Sequence, residues 1–321
     1  MGGTVKAFPR IQFRLVPAAP TISPEEIKDV NARYHDAAAL DYDSKWGIDF
    51  GPIGQRQVRA KIAKALGRWP EAPFGDALEV GAGTGYFTLN LIQLGLIERA
   101  TATDISLGML GSLSGSATRL GLDVRTVRTE AEQLPFQDRS FDLVFGHAVL
   151  HHLPDPGAAF AEFHRVLRPG GVIAFCGEPS RYGDLIAVLP KRAGRTLAPL
   201  WRGLIGAAER SGDGDLTDHE DDGLEWQVDV HAFSPSSLRT MLRQAGFAGA
   251  RIRGEELLAN GYGWAIRTLE STADFDQVPA AWRAFAFRSY LALQAVDDRL
   301  LEPRLPPELF YNLVLSASRP A

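Results

Sequence analysis

Short apolar runs alternate along this chain with longer stretches in which apolar residues recur every three or four positions. That is the pattern of buried strands separated by amphipathic helices. The runs Ala77–Val80, Ala100–Asp104, Val124–Val127, Leu143–Phe145 and Val172–Cys176 are nearly continuous, which predicts strands covered on both faces of a parallel sheet. Between them, Met109, Leu113, Ala117 and Leu120 share one helical face. Upstream, Val58, Ile62, Leu66 and Trp69 do the same from Gln55 onward, until Pro70 and Pro73 stop the helix. Ser23 and Pro24 suit the N-cap and first turn of another helix, after a proline-containing extended arm over residues 1–24. The fold class that follows is α/β, a doubly wound, Rossmann-like sheet.

After Glu178 the alternation breaks. A helical pattern at Leu197, Leu200, Trp201, Leu204 and Ile205, then an acidic loop over 211–223, make residues 182–233 an insertion rather than a second domain. Residues 234–247 predict a helix ended by Gly246. Trp282, Phe285, Tyr290 and Leu293 mark a further helical insert, 279–303, ahead of the apolar run Phe310–Leu315. The organisation expected is an N-terminal part over 1–54, a core over 55–181, a helical lid over 182–233, and the rest of the core sheet over 234–321.

Residues 77–85 carry the most informative chemistry: a strand runs into Glu79-Val-Gly81-Ala-Gly83-Thr-Gly85, and Asp104 closes the next apolar run. In a doubly wound sheet the first strand-to-helix turn brings backbone close to a ligand, and an acid ending the second strand accepts from ribose hydroxyls. Glycines permit positive φ and close approach, and the helix beginning near Tyr86 aims N–H groups at an anionic group. Tyr86 occupies the third glycine position of the dinucleotide fingerprint counted from Gly81, which disfavours a nicotinamide cofactor.

The glycine segment resembles the first motif of class I S-adenosylmethionine-dependent methyltransferases. Further segments resemble the ubiquinone/menaquinone-type small-molecule subgroup in family order: Glu130-Ala-Glu-Gln-Leu-Pro-Phe136, Ser140-Phe-Asp-Leu-Val-Phe145, Val149-Leu-His-His-Leu153 and the stretch 162–171. The resemblance implies a seven-stranded sheet with an antiparallel last strand, and S-adenosylmethionine as cofactor. It also implies that backbone at Gly81, Ala82, Gly83 and Gly85 cradles the methionine moiety, with Glu79 near its ammonium group. Asp104 would hold the ribose, Glu130 and Ala131 the adenine, and Ile105 and Met109 would pack on the adenosine face. The segment 34–46 resembles an N-terminal element that folds over the cofactor, where Tyr42 and Trp46 present aromatic faces to a sulfonium.

His147 and His152 lie past the fourth strand, at the carboxyl edge where open α/β sheets bind ligands. His147, at the family position next to the transferred methyl, is the first candidate for a catalytic base and also a cofactor contact. His152 is the second candidate, and Tyr42 completes the catalytic set. For His151 and His152 the alternative is a dipeptide that holds loop and helix together.

The charge balance narrows the partners. The chain has 321 residues and a net charge of −5, and no basic run stands out, so the footprint of a nucleic-acid binder is missing. The single cysteine, Cys176, reads as a buried strand residue, and no stretch suits a membrane span, which places the protein in the cytoplasm. No metal is expected: His147 and His151 lack a third ligand fixed by sequence, and the acids between Asp213 and Asp222 miss the calcium-loop pattern. The expected function is methylation of a small, largely apolar acceptor, quinone-like, polyketide-like or another secondary metabolite, with oxygen favoured because a histidine could deprotonate a hydroxyl. Its pocket would lie among the N-terminal element and the two inserts, where Arg192, Arg195 and Arg202 intersperse apolar residues. The alternative is a non-catalytic cofactor-binding module that recognises a protein partner. Monomer and homodimer both remain open.

Overall fold

The computed structural model describes residues 23–39, 42–43, 47–210 and 230–321. The arm before Ser23, Trp46 and the acidic loop 211–223 lie outside them. Seven strands, β1 (Phe74–Val80), β2 (Ile97–Asp104), β3 (Arg125–Arg128), β4 (Phe141–His147), β5 (Leu167–Pro179), β6 (Ala248–Glu255) and β7 (Asn312–Ser318), form one sheet in the order 3-2-1-4-5-7-6. Neighbours pair in parallel from β3 through β5, and β7 runs antiparallel to both β5 and β6, as the family resemblance implied. The near-continuous apolar runs have the expected cause. Along β4 and β5, Val144, Ile173 and Phe175 face one core, while Leu143, Phe145, Ala174 and Cys176 face the other. Alternate side chains thus serve opposite faces, and both faces are covered.

One face is covered by α2 (Pro52–Leu66) and α3 (Tyr86–Gln93), whose Val58, Ile62, Phe87 and Leu91 are buried. The helix α2 begins at Pro52 and ends at Gly67, which takes φ +87°, so Trp69 lies beyond it and the prolines are not what stops it. The opposite core receives α5 (Pro156–Val166) and α7 (Pro235–Gln244) through Phe160, Phe163, Leu238 and Leu242. Ahead of these, α1 (Pro24–Ala38) begins with a reciprocal capping box between Ser23 and Glu26, and α4 (Leu107–Leu120) is capped by Ser106.

The strands extend past the apolar runs because their polar ends keep pairing: β1 starts at Phe74 and β2 at Ile97, while β3 is displaced by one residue from the expected 124–127. In β5, Leu167 pairs with Phe141 and the ladder resumes at Val172 opposite Leu143, so 168–171 bulge out.

The helical part outside the sheet is larger than the sequence pattern implies. The helix α6 (Gly183–Ile205) packs on α8 (Leu258–Glu270), and α9 (Ala280–Val296) continues into a π-helical turn, Asp297–Leu301. Ala198, Trp201, Leu269, Ala273 and Val278 form a small core of their own. Gly194 lets α6 and α8 approach closely, since a Cβ there would sit 2.8 Å from the Ala265 carbonyl oxygen.

Candidate functional site

The three glycines of the first turn are required for two different reasons. All have positive φ, +62° at Gly81, +52° at Gly83 and +92° at Gly85. A Cβ on Gly81 would lie 2.3 Å from Val149 Cγ2, and one on Gly85 would lie 2.7 Å from Leu113 Cγ. A Cβ on Gly83 would meet nothing within 4 Å. The outer two glycines are packed against protein, whereas the middle one faces open space. Beside it, the Thr84 hydroxyl is buried and has no hydrogen-bond partner.

Asp104, at the end of β2, is tied to this loop. Its two carboxylate oxygens accept from Gly83 N (2.8 Å) and Ser106 N (2.9 Å). Burial raises its pKa, and the N–H donors pull the other way. Ala82 is buried and donates its N–H to Thr103 O at 2.9 Å, which anchors the turn to β2.

Glu79 is turned away from the loop. Its buried carboxyl accepts from the backbone N–H of Thr88 (3.0 Å) and from the Thr88 hydroxyl. Desolvation pushes its pKa up to about 8 despite those two donors. It joins β1 to the first turn of α3.

A cleft of about 480 Å³ opens between α1 and the ends of β2 and β3, lined by Lys28, Ala32, Ile105, Arg128 and Glu130. Lys28 of α1 bridges to Glu130 at 2.5 Å across it. Ala131 and Met109 are buried, so neither presents its side chain to the cleft. Asp36 of α1 accepts from the Ser106 hydroxyl (2.5 Å) and Gly108 N (2.8 Å), which latches α1 to the start of α4.

The histidines divide. His147 is stacked on Phe87 with 4.6 Å between centroids, and Gly177, at φ +74°, makes room for its Nε2. Burial, helped by the Lys61 charge, pushes its pKa down to about 3. The ring is therefore neutral near pH 7 and a weak proton acceptor, a property opposed to the base role expected of it. After it, Ala148 takes φ +51°, a strained turn that sends the next three N–H groups toward Glu178. That fully buried carboxylate accepts from Val149 N (3.0 Å), Leu150 N (3.1 Å) and His151 N (3.2 Å), and lies 2.9 Å from His151 Nδ1. His152 lies against His151 at 3.9 Å with the rings tilted by 44°, and meets His35 of α1 at 5.7 Å, and His35 in turn lies 6.4 Å from Tyr42.

Residues 78–175 match the family described as a methyltransferase domain. They are a class I methyltransferase domain. The malonyl-[acyl-carrier protein] O-methyltransferase of Serratia marcescens is 36% identical over 148 residues, 46% of this chain and 52% of that protein. The demethylmenaquinone methyltransferase of Roseiflexus castenholzii is 37% identical over 158 residues, 49% of this chain and 63% of that protein. The chain thus spans little more than half the length of the curated relatives it matches. A solved phosphoethanolamine N-methyltransferase 2 of Haemonchus contortus, in complex with S-adenosyl-L-methionine, shares the fold at TM-score 0.58 and 14% identity, covering 92% of this chain and 60% of that one.

The residues of the methyltransferase domain fit the cofactor of its class on two features of this structure: the space before Gly83 and the orphaned Thr84 hydroxyl. The structure brings Gly81, Ala82, Gly83, Gly85, Asp104 and Ile105 together, with Glu130 across the cleft. It leaves Glu79 on Thr88. His147 sits further along the sheet's carboxyl edge, and Tyr42 and His152 join through His35. The sequence reading missed Lys28, His35, Asp36, Thr84 and Glu178. Glu178 had one signal, an acid at the end of an otherwise apolar strand, which demands buried partners. No group of three His, Cys, Asp or Glu side chains is arranged to hold a metal among the described residues.

Proposed function

We propose that this chain transfers the methyl group of S-adenosylmethionine to an oxygen of a small, largely apolar organic acceptor. The observation that carries the reading is the unfilled space at Gly83 beside a carboxylate, Asp104, whose orientation is fixed by two backbone N–H groups. Once bound, the sulfonium supplies an electrophilic methyl that needs alignment and exclusion of water. Asp104 holds the ribose, Thr84 offers a hydroxyl to the cradle, and Glu130 lies at the adenine end. The acceptor enters beneath the lid, facing His147, His152 and Tyr42.

The state of His147 sharpens the acceptor class. A ring held near pKa 3 does not draw a proton from an alcohol at neutral pH. The site therefore suits an oxygen that is already ionised, a carboxylate or an acidic enol or phenol. A malonyl group, named for the Serratia relative, is of this chemical kind. His147 then orients the acceptor as a neutral hydrogen-bonding ring rather than as a base.

Incubation with methyl-labelled cofactor and a panel of carboxylic acids, phenols and amines tests the reading. Release of S-adenosylhomocysteine with an oxygen acid, and not with amines, is the expected result. Tight cofactor binding with no turnover on any acceptor would return the non-catalytic alternative.

A further inference from the structure

Between 181 and 205 the sequence has five basic residues, Arg181, Lys191, Arg192, Arg195 and Arg202, against the single acid Asp184, in a chain whose net charge is −5. From 185 to 205 and across α9 there is no acid at all. Ala187, Gly194, Ala198 and Trp201 face the protein, as their spacing on α6 requires. The opposite exposure is unusual: Leu189, Leu197, Leu200 and Leu204 are 72%, 52%, 66% and 79% exposed. At 100° per residue those four leucines fall within an arc of about 80°, with Arg192 on its flank and Arg195 further round. Scattered exposed leucines need no account, but four on one stripe of one helix do.

On the protein-facing side of α6 an aromatic chain leads to the neighbouring helix. Trp201 packs on Trp282 of α9 (5.3 Å), Trp282 on Phe285 (5.8 Å), and Phe285 is 57% exposed. The exposed face of α6 thus presents leucine side chains with Arg192 at its margin. Arg192 and Arg195 are exposed and have no acidic partner among the described residues.

We propose that this face of α6 docks the protein on an anionic membrane surface. No helix among the described residues is long and apolar enough to cross a bilayer, so the contact lies in the plane of the interface. A helix of this make-up rests there with leucines at the acyl boundary and arginines among anionic headgroups. Charge selects this occupant over a second copy of the chain. A second copy seated on the stripe would meet Arg192 with a face that carries no acid on α6 from 185 onward to receive it. The inference stands on the surface alone and does not depend on methyl transfer.

The test is flotation of the full chain with vesicles of phosphatidylcholine, with and without phosphatidylglycerol. The wild type is expected to float with the anionic vesicles, and to be released by salt. Leu200→Glu with Leu204→Glu should weaken partitioning by about tenfold or more. Arg192→Gln with Arg195→Gln should weaken it by roughly tenfold while abolishing the preference for anionic lipid. All four positions are exposed, so circular dichroism and the melting midpoint should stay at wild-type values. The lipid and salt dependence of the wild type needs no variant. Absence of binding to anionic vesicles, or undiminished binding by the leucine variant, overturns the proposal. So does a wild-type dimer that the leucine variant converts to monomer, or an acidic carrier protein bound through these residues while vesicles are ignored.

Discussion

The two sides of the sheet's carboxyl edge are built on different principles. On the β1–β3 side, position comes from backbone: positive φ at Gly81, Gly83 and Gly85, and N–H groups that fix Asp104. On the β5–β7 side it comes from long-range side-chain contacts. Lys61 reaches Glu255 at 2.6 Å and Glu256 at 3.5 Å, Lys64 reaches Glu302 at 2.8 Å, and Tyr290 donates to Glu256 at 2.6 Å. A backbone-built site is altered by changing shape without disturbing the fold. A site built from buried charges fails with the structure that holds it.

Lys61→Met should separate the two most sharply. It leaves Glu255 and Glu256 buried without their nearest cation, at an expected cost of about 3–5 kcal/mol in urea unfolding. A loss near zero would mean that this network is decorative. Gly83→Val is the counterpart: the side chain enters the space before the loop, so cofactor affinity should fall about a hundredfold or more in calorimetric titration, roughly 3 kcal/mol. Its fold should lose only about 1–2 kcal/mol from the positive φ. Retained affinity would remove the loop from the binding site.

Glu79 and His147 give opposite pH signatures. The Glu79 carboxyl, raised from 4.5 to about 8, keeps a proton in the fold that the unfolded chain has lost. Its contribution is complete below its unfolded value and disappears as pH rises through about 8. His147, lowered from 6.5 to about 3, contributes stability present above its unfolded value and lost as pH falls toward 3. Glu79→Gln should therefore flatten the decline in stability between about pH 5 and 8, by roughly 1–3 kcal/mol across that window. An unchanged slope would show that Glu79 is ionised in the fold. The smallest effect is expected for His147→Gln, with turnover within about tenfold of wild type and no shift in its pH profile near neutrality. A drop of about a thousandfold with loss of a basic limb would restore His147 as the base.

The same division explains what could be read in advance. Gly81 to Gly85 and Asp104 were legible because backbone geometry restricts which residues can stand there. So were the strands, whose near-continuous apolar runs follow from two covered faces. Asp36, Lys28 and Glu178 were not legible, because their partners lie 70, 102 and 27–29 residues away and no local spacing encodes the pairing. The helix α8 was hidden by Gly261 and Gly263, which break the helical pattern although its face still packs on α6. His147 was correctly placed at the end of β4, but its basicity depends on burial by Phe87 and on Lys61 from another helix.

The position of β7 has a consequence for how the molecule is assembled. It lies between β5 and β6 and hydrogen-bonds to both, though it follows them in the chain. Until it inserts, β5 keeps an open edge and β6 has no strand partner, so each is able to recruit a strand from another molecule. Ribosomal synthesis must therefore pass Ser318 before the sheet can close, and a nascent chain stalled earlier would be a prime client for holding chaperones.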